Sequence, residues 1–208
     1  MPALWLSNVR KSYGGRALWT SVDLTVETGE TVALLGANGA GKSTLLRIAA
    51  TVCRPTAGSV VVGNVDARRE PEKARCLLGY QPQDAPVYAE LTPAEHLRWW
   101  MRLHDAPVDV DAALVHFGLA AMAHKPSATL SRGQRQRVAL AMASLHAPPL
   151  LLLDEPFTAL DGAGQSVVGS ILESRRGNQG TLLALHDEAQ ARRLADRVVR
   201  LDRNGVHA

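Results

Sequence analysis

Cysteine is scarce: Cys53 and Cys76 are the only two in 208 residues, and they do not form a C-x-x-C pair. Nothing therefore indicates a disulfide framework or a cysteine-held zinc site, which fits a reducing compartment. Long apolar runs are absent as well. A spanning helix needs about 20 mostly apolar residues. The most apolar stretch, Val138 to Leu153, is shorter and is broken by Ser144, His146, Pro148 and Pro149. The N-terminus lacks a secretory pattern, because Arg10 and Lys11 follow the apolar Leu4 to Leu6 rather than precede it. Charge of neither sign dominates: 23 Lys and Arg face 20 Asp and Glu, a formal +3. That excess is too mild to argue for nucleic acid. Aromatics are few, at 4%, whereas 46% of residues are hydrophobic and 21% charged. This balance excludes disordered, collagenous and low-complexity chains. The length allows a core that folds without staples.

The chain opens on strand candidates. Leu4 to Val9 is apolar-rich, Tyr13-Gly14-Gly15 marks a turn, and Ser21 to Val26 alternates. Thr31 to Leu35 reads as a buried strand that runs into a glycine-rich loop, Gly36 to Thr44, and then a helix to about Ala50. Ser59 to Val62, between two glycines, is a further strand. From about Pro93 to His146 the pattern turns helical. Thr92 with Glu95, and Ser131 with Gln134, stand in capping-box register. Leu150 to Leu153, Thr181 to Leu185 and Val198 to Leu201 are expected strands, with helices from about Gly164 to Arg175 and from about Glu188. Strand–helix alternation at both ends predicts an α/β fold with a mainly parallel sheet. An antiparallel β part precedes it and a helical subdomain, residues 84–147, is inserted in a single domain, 1–208. Trp99 and Trp100 are expected to pack that subdomain. Arg192, Arg193, Arg197, Arg200 and Arg203 are expected to form a solvated basic face.

Gly36 to Ser43 matches G-x-x-x-x-G-K-[ST] in full. Glycines at 36, 39 and 41 let the backbone wrap a phosphate, and Asn38 and Thr44 lie in the same run. The loop feeds a helix N-terminus, which adds positive potential. Lys42 supplies a point charge for terminal phosphates and Ser43 an oxygen for Mg²⁺. A chance match in a chain this long occurs roughly once in a hundred. Leu150 to Glu155 is an apolar strand that ends in two acids, at the sheet edge where α/β folds bind ligands. Asp154 there suits Mg²⁺, and Glu155 suits the polarisation of an attacking water. Leu130-Ser131-Arg132-Gly133-Gln134 opens a helix. On residue chemistry alone it is either an anion site or simply a capped helix start with a basic face.

With these motifs in their order, the whole chain resembles the ATP-binding subunit of ABC transporters, a P-loop NTPase fold. The family signature L-S-G-G-Q matches at four of five positions; Arg132 replaces the first glycine. The resemblance implies roles for further residues. Tyr13 would stack on adenine, though by itself it could be a turn residue. Gln83 would link the Mg²⁺ site to the transporter, in preference to Gln81, which Pro82 separates from the matching position. Asp161, in Thr158-Ala159-Leu160-Asp161, would reach across a dimer. His186, 31 residues after Glu155, would contact the γ-phosphate. Ser131, Gly133 and Gln134 would close over a nucleotide held by another copy. The implied ligands are ATP and Mg²⁺. The implied partners are a second copy or paired cassette and a separate transmembrane permease, without direct nucleic-acid contact. The expected location is cytoplasmic, peripheral on the inner face of the cell membrane and reached through that partner. The signature and the run Asp154 to Asp161 are also similar to the ATPases of haem exporters in cytochrome c biogenesis. Other small exporters for drugs, lipids or ions, and soluble ABC ATPases, remain alternatives. A GTPase is disfavoured because no N-K-x-D sequence occurs.

Overall fold

The structure, a computed structural model, describes residues 1–207. It begins with β1 (Pro2–Arg10), the short hairpin β2 (Ser12–Tyr13) and β3 (Arg16–Ala17), β4 (Val22–Glu27) and β5 (Thr31–Leu35). Then come α1 (Lys42–Ala49), β6 (Ala57–Val62), β7 (Val65–Asp66), α2 (Pro71–Cys76) and β8 (Leu78–Gln81). Three helices follow: α3 (Pro93–Leu103), α4 (Val110–His116) and α5 (Arg132–Ser144). The chain ends with β9 (Leu150–Asp154), α6 (Gly162–Arg175), β10 (Gly180–Ala184), α7 (Glu188–Leu194), β11 (Arg197–Asp202) and β12 (Gly205–His207).

Two main sheets result. One is six-stranded, in the order β12-β11-β5-β10-β9-β8, with only β12 antiparallel. The other is antiparallel, in the order β4-β1-β6-β7. The strands β5, β9 and β10 are buried along their whole length. A parallel sheet covered on both faces demands such apolar runs, and period-2 alternation then sends neighbours to opposite sides. Val32, Leu34, Leu150 and Leu152 face a core shared with α1 and the antiparallel sheet. Ala33, Leu35, Leu151 and Leu153 face a second core filled by α3 to α6. Each fully buried leucine contributes about 1.5–3 kcal/mol.

Local signals set the helix starts. Thr92 and Ser131 form the expected capping boxes, with Glu95 and Gln134 side chains accepting from the cap residue's own N–H. Asp161 caps α6 by accepting from Gly164 N–H at 2.8 Å, so that helix begins at Gly162, two residues before the expected start. Three elements escape periodicity. Helix α2 is only six residues long, β8 reads Leu-Gly-Tyr-Gln, and β12 closes a hairpin on β11. In β8 a Cβ at Gly79 would collide with the Ala143 carbonyl, so the strand needs glycine where α5 crosses it.

The expected basic face is exposed at Arg192, Arg193, Arg200 and Arg203, but three of its five arginines form ion pairs. Arg197 Nε donates to Glu30 Oε1 at 2.7 Å and its Nη2 to the Thr25 carbonyl at 2.6 Å. Arg192 and Arg200 both pair with Glu188. Those three arginines thus share two acids, Glu30 and Glu188. Trp100 packs against the second core as expected, but Trp99 is 44% exposed. It stands beside Tyr88, with ring centroids 6.0 Å apart.

Candidate functional site

The carboxyl ends of β5 and β9 flank that of β10, and the loops leaving them carry most of the chemistry. After Leu35 the chain turns through Gly36 to Gly41 and enters α1 at Lys42. Gly39 and Gly41 have φ of 80° and 99°, a region L side chains avoid. A Cβ at Gly41 would lie 2.7 Å from the Trp19 ring. That buried ring donates its Nε1–H to the Ala40 carbonyl at 2.8 Å and so braces the loop from beneath. Trp19 is a part of the site that sequence reasoning missed. Lys42 Nζ donates to the Gly36 carbonyl at 2.8 Å, which holds the ammonium across the loop.

The loop forms one wall of a cleft of about 490 Å³, lined also by Tyr13, Gln83 and Glu155. Asn38, Gly39, Gly41, Lys42, Ser43 and Thr44 all line it. Gln83 Nε2 donates to Glu155 Oε2 at 3.1 Å, so the loop after β8 and the end of β9 meet in the cleft. Gln81, by contrast, is fully buried and turned inward. Glu155 has φ of 50°, and its N–H donates to the Ala184 carbonyl at 3.0 Å. A left-handed conformation costs a non-glycine residue about 1–2 kcal/mol. Here it turns the chain sharply after β9 and gives the side chain to the cleft.

Asp154 is 1% exposed, and neither carboxylate oxygen has a hydrogen-bond partner among the described residues. Burial pushes its pKa above the usual carboxylate range and the Glu155 charge adds to this, while Ser43, Arg47 and Lys42 pull the other way. An orphaned buried carboxylate beside a serine oxygen and a cationic loop is a donor set suited to a hard divalent cation. The residues therefore fit Mg²⁺, with Ser43, Gln83 and Asp154 as candidates to hold it.

Other expected residues lie apart from the cleft. Ser131, Gly133 and Gln134 stand at the start of α5 and do not line it. A Cβ at Gly133 would collide with the Ala159 carbonyl, so the signature glycine permits α5 to seat on the loop before Asp161. Asp161 is taken up locally: it caps α6 and lies 3.9 Å from Arg137. His186 is exposed, two residues past β10, at the same sheet edge but outside the lining. Arg132 reaches to 3.8 Å from Asp84, an exposed pairing of little strength.

Residues 19–158 match the family model described as ABC transporter. The chain belongs to the ABC transporter family, as an ATP-binding subunit. It is 44% identical over 153 residues to a cytochrome c biogenesis ATP-binding export protein of Pseudomonas savastanoi pv. phaseolicola, covering 72% of this chain and 71% of that one. It is 35% identical to an aliphatic sulfonates import ATP-binding protein of Pseudomonas syringae pv. tomato, covering 98% and 74%. Among solved structures, an ATP-binding subunit of an ABC transporter superposes with a TM-score of 0.91 at 30% identity, covering 99% of this chain and 88% of that one. A dimeric bacterial ABC transporter cassette gives 0.86 at 27% identity, covering 99% and 97%. The fold is thus the expected P-loop α/β cassette, and the chain is an ABC ATPase subunit of a transporter. Among the described residues no helix is long and apolar enough to cross a membrane.

Proposed function

We propose that this chain binds and hydrolyses Mg²⁺-ATP between two copies of itself or a paired cassette, and that closure of the pair drives a separate transmembrane permease. The observation that carries this reading is the division of the site. The phosphate loop, Gln83 and Glu155 share one cleft, whereas Ser131, Gly133 and Gln134 lie outside it at the N-terminus of another helix. A helix start with free N–H groups is an anion binder, and a second copy supplies a phosphate for it. One dimeric structural relative is a bacterial cassette, and another is a post-hydrolysis state bound to ADP and Pi.

In the proposed site Tyr13 stacks on adenine and the N–H groups of residues 36–44 wrap the phosphates. Mg²⁺ held by Ser43, Gln83 and Asp154 would supply charge neutralisation at the phosphate oxygens. Lys42 leaves the Gly36 carbonyl for the terminal phosphates. Glu155 orients the attacking water and accepts its proton, and Gln83 positions Glu155. His186 steadies the γ-phosphate, and Asp161 meets the other copy across the interface. Nucleotide must bind the closed pair better than the open one, or no work is done. Motion at Gln83 passes to the helices between β8 and β9 and so to the permease. The protein is peripheral to the membrane through that partner.

The exported substrate is haem, for cytochrome c maturation. Support comes from the cytochrome c biogenesis export proteins, at 44% identity and, in Paramagnetospirillum magneticum, 37%. A strain lacking this chain is expected to accumulate c-type apocytochrome without haem and to take up sulfonates and phosphate normally. Intact holocytochrome in that strain would rule haem export out. For catalysis, Glu155→Gln is expected to cut steady-state phosphate release at least about 100-fold while ATP affinity changes less than about threefold. Unchanged turnover would remove Glu155 from the mechanism.

A further inference from the structure

A second cavity lies behind the nucleotide cleft, between the end of α1, β6 and α2. Its volume is about 170 Å³, and three arginines line it: Arg54, Arg68 and Arg75. No carboxylate lines it, and none of the three has an ion-pair partner among the described residues. Of the nearby acids, Asp66 pairs with Arg69 and Glu70 with Lys73; Glu72, one turn before Arg75 on α2, has no ion-pair partner among the described residues and does not line the cavity. All three side chains are exposed, so solvent screens their mutual repulsion, and an anion seated among them would be attracted to each.

The walls hold two of the three guanidinium groups, those of Arg68 and Arg75, in place. Thr51 sits at the left-handed position that ends α1, with φ of 61°. Its N–H donates to the Ile48 carbonyl and the next N–H, of Val52, to the Arg47 carbonyl, the bonding pattern that normally recruits glycine. A β-branched residue is strained there, yet the threonine supplies a hydroxyl that accepts from Arg75 Nε at 2.9 Å. Arg68 Nη1 donates to the Gly58 carbonyl at 3.0 Å. The Arg54 carbonyl receives Lys11 Nζ at 2.9 Å, and that ammonium lies 4.7 Å from the centre of the Tyr13 ring. Cys53, also in the wall, is 3.8 Å from the Tyr13 hydroxyl.

We propose that this three-arginine cavity binds a phosphate dianion, free or as a phosphomonoester head group, and that its occupant stiffens the segment carrying Tyr13. Guanidinium groups suit a tetrahedral oxyanion because each offers a fork of donors. The volume, about 170 Å³, is enough for one phosphate group. The link to nucleotide binding rests on Tyr13 as the adenine platform; binding at the cavity does not.

The test is calorimetry of inorganic phosphate into full-length protein saturated with Mg²⁺ and a non-hydrolysable ATP analogue, which fills the first cleft. One phosphate per chain is expected, with affinity at least tenfold weaker in the Arg54→Gln/Arg75→Gln variant. Both side chains are exposed, and retained analogue binding verifies that the variant is folded. A parallel arm uses phosphatidylcholine vesicles with and without phosphatidic acid. Phosphate heat supports a free anion, and arginine-dependent capture on phosphatidic acid alone supports a head group. Neither signal, or equal binding by variant and wild type, overturns the inference. Failure of the analogue itself to bind would instead overturn the proposed ATPase site.

Discussion

At the residue scale, Asp154 keeps a carboxylate where the fold alone favours a neutral side chain. Its folded pKa lies above the ordinary aspartate value, with burial as the leading cause. Between those two values the folded state binds more protons than the unfolded one. Stability therefore falls as pH rises through that window and stays reduced at neutral pH. Asp154→Asn is expected to raise the neutral-pH melting temperature by about 2–8 °C, from about 1–2 kcal/mol, in protein free of nucleotide and Mg²⁺. The same variant is expected to lose the stabilisation that Mg²⁺ adds to ATP. A variant that melts below wild type would show that Asp154 serves the fold rather than the site. Lys42, Ser43, Asp154 and Glu155 were legible in the sequence because their chemistry is tied to residue type at fixed short spacing. Trp19 was not, because the carbonyl it braces is 21 residues away. The left-handed backbone of Glu155 was equally hidden, since glutamate carries no mark of that conformation.

At the element scale, caps were readable and partners were not. The Thr92–Glu95 and Ser131–Gln134 boxes are closed within four residues, so sequence alone locates both helix starts. The Arg197–Glu30 pair spans 167 residues, and no local pattern announces it. The same holds where α3 and α5 end. His104, which caps the end of α3, stacks on His146 beyond α5, with ring centroids 4.0 Å apart. Burial, and then the charge of His104, pushes the His146 pKa down to about 4. Trp100 packs against both rings, Arg175 adds positive charge, and the Leu78 and Met142 carbonyls are the groups that favour protonation. Because the folded pKa lies below the unfolded one, the unfolded state binds more protons between them. Stability is full above about 6.5, falls as pH drops from about 6.5 to about 4, and levels off below that. His146→Phe is expected to flatten this slope in denaturant titrations across the same range. An unchanged slope would assign the acid sensitivity to other groups.

At the scale of the whole molecule, the two halves of the proposed catalytic site lie apart within one chain. The phosphate cleft opens beside β5 and β9, and the signature caps a helix that seats on the loop before Asp161. Two copies facing each other would bring signature and phosphate loop together, with ATP as the bridge and hydrolysis as its removal. Overall architecture was legible because alternating strands and helices leave few ways to cover a parallel sheet. The strand orders of both sheets depend on contacts far apart in the chain, such as Leu6 with Val60 and Thr181 with Thr31. The decisive measurement is the sedimentation mass of Glu155→Gln, in which bound ATP is expected to persist. With Mg²⁺-ATP the expected result is twice the single-chain mass, and one chain's mass with ADP or without nucleotide. A single-chain mass at saturating Mg²⁺-ATP would contradict the shared site.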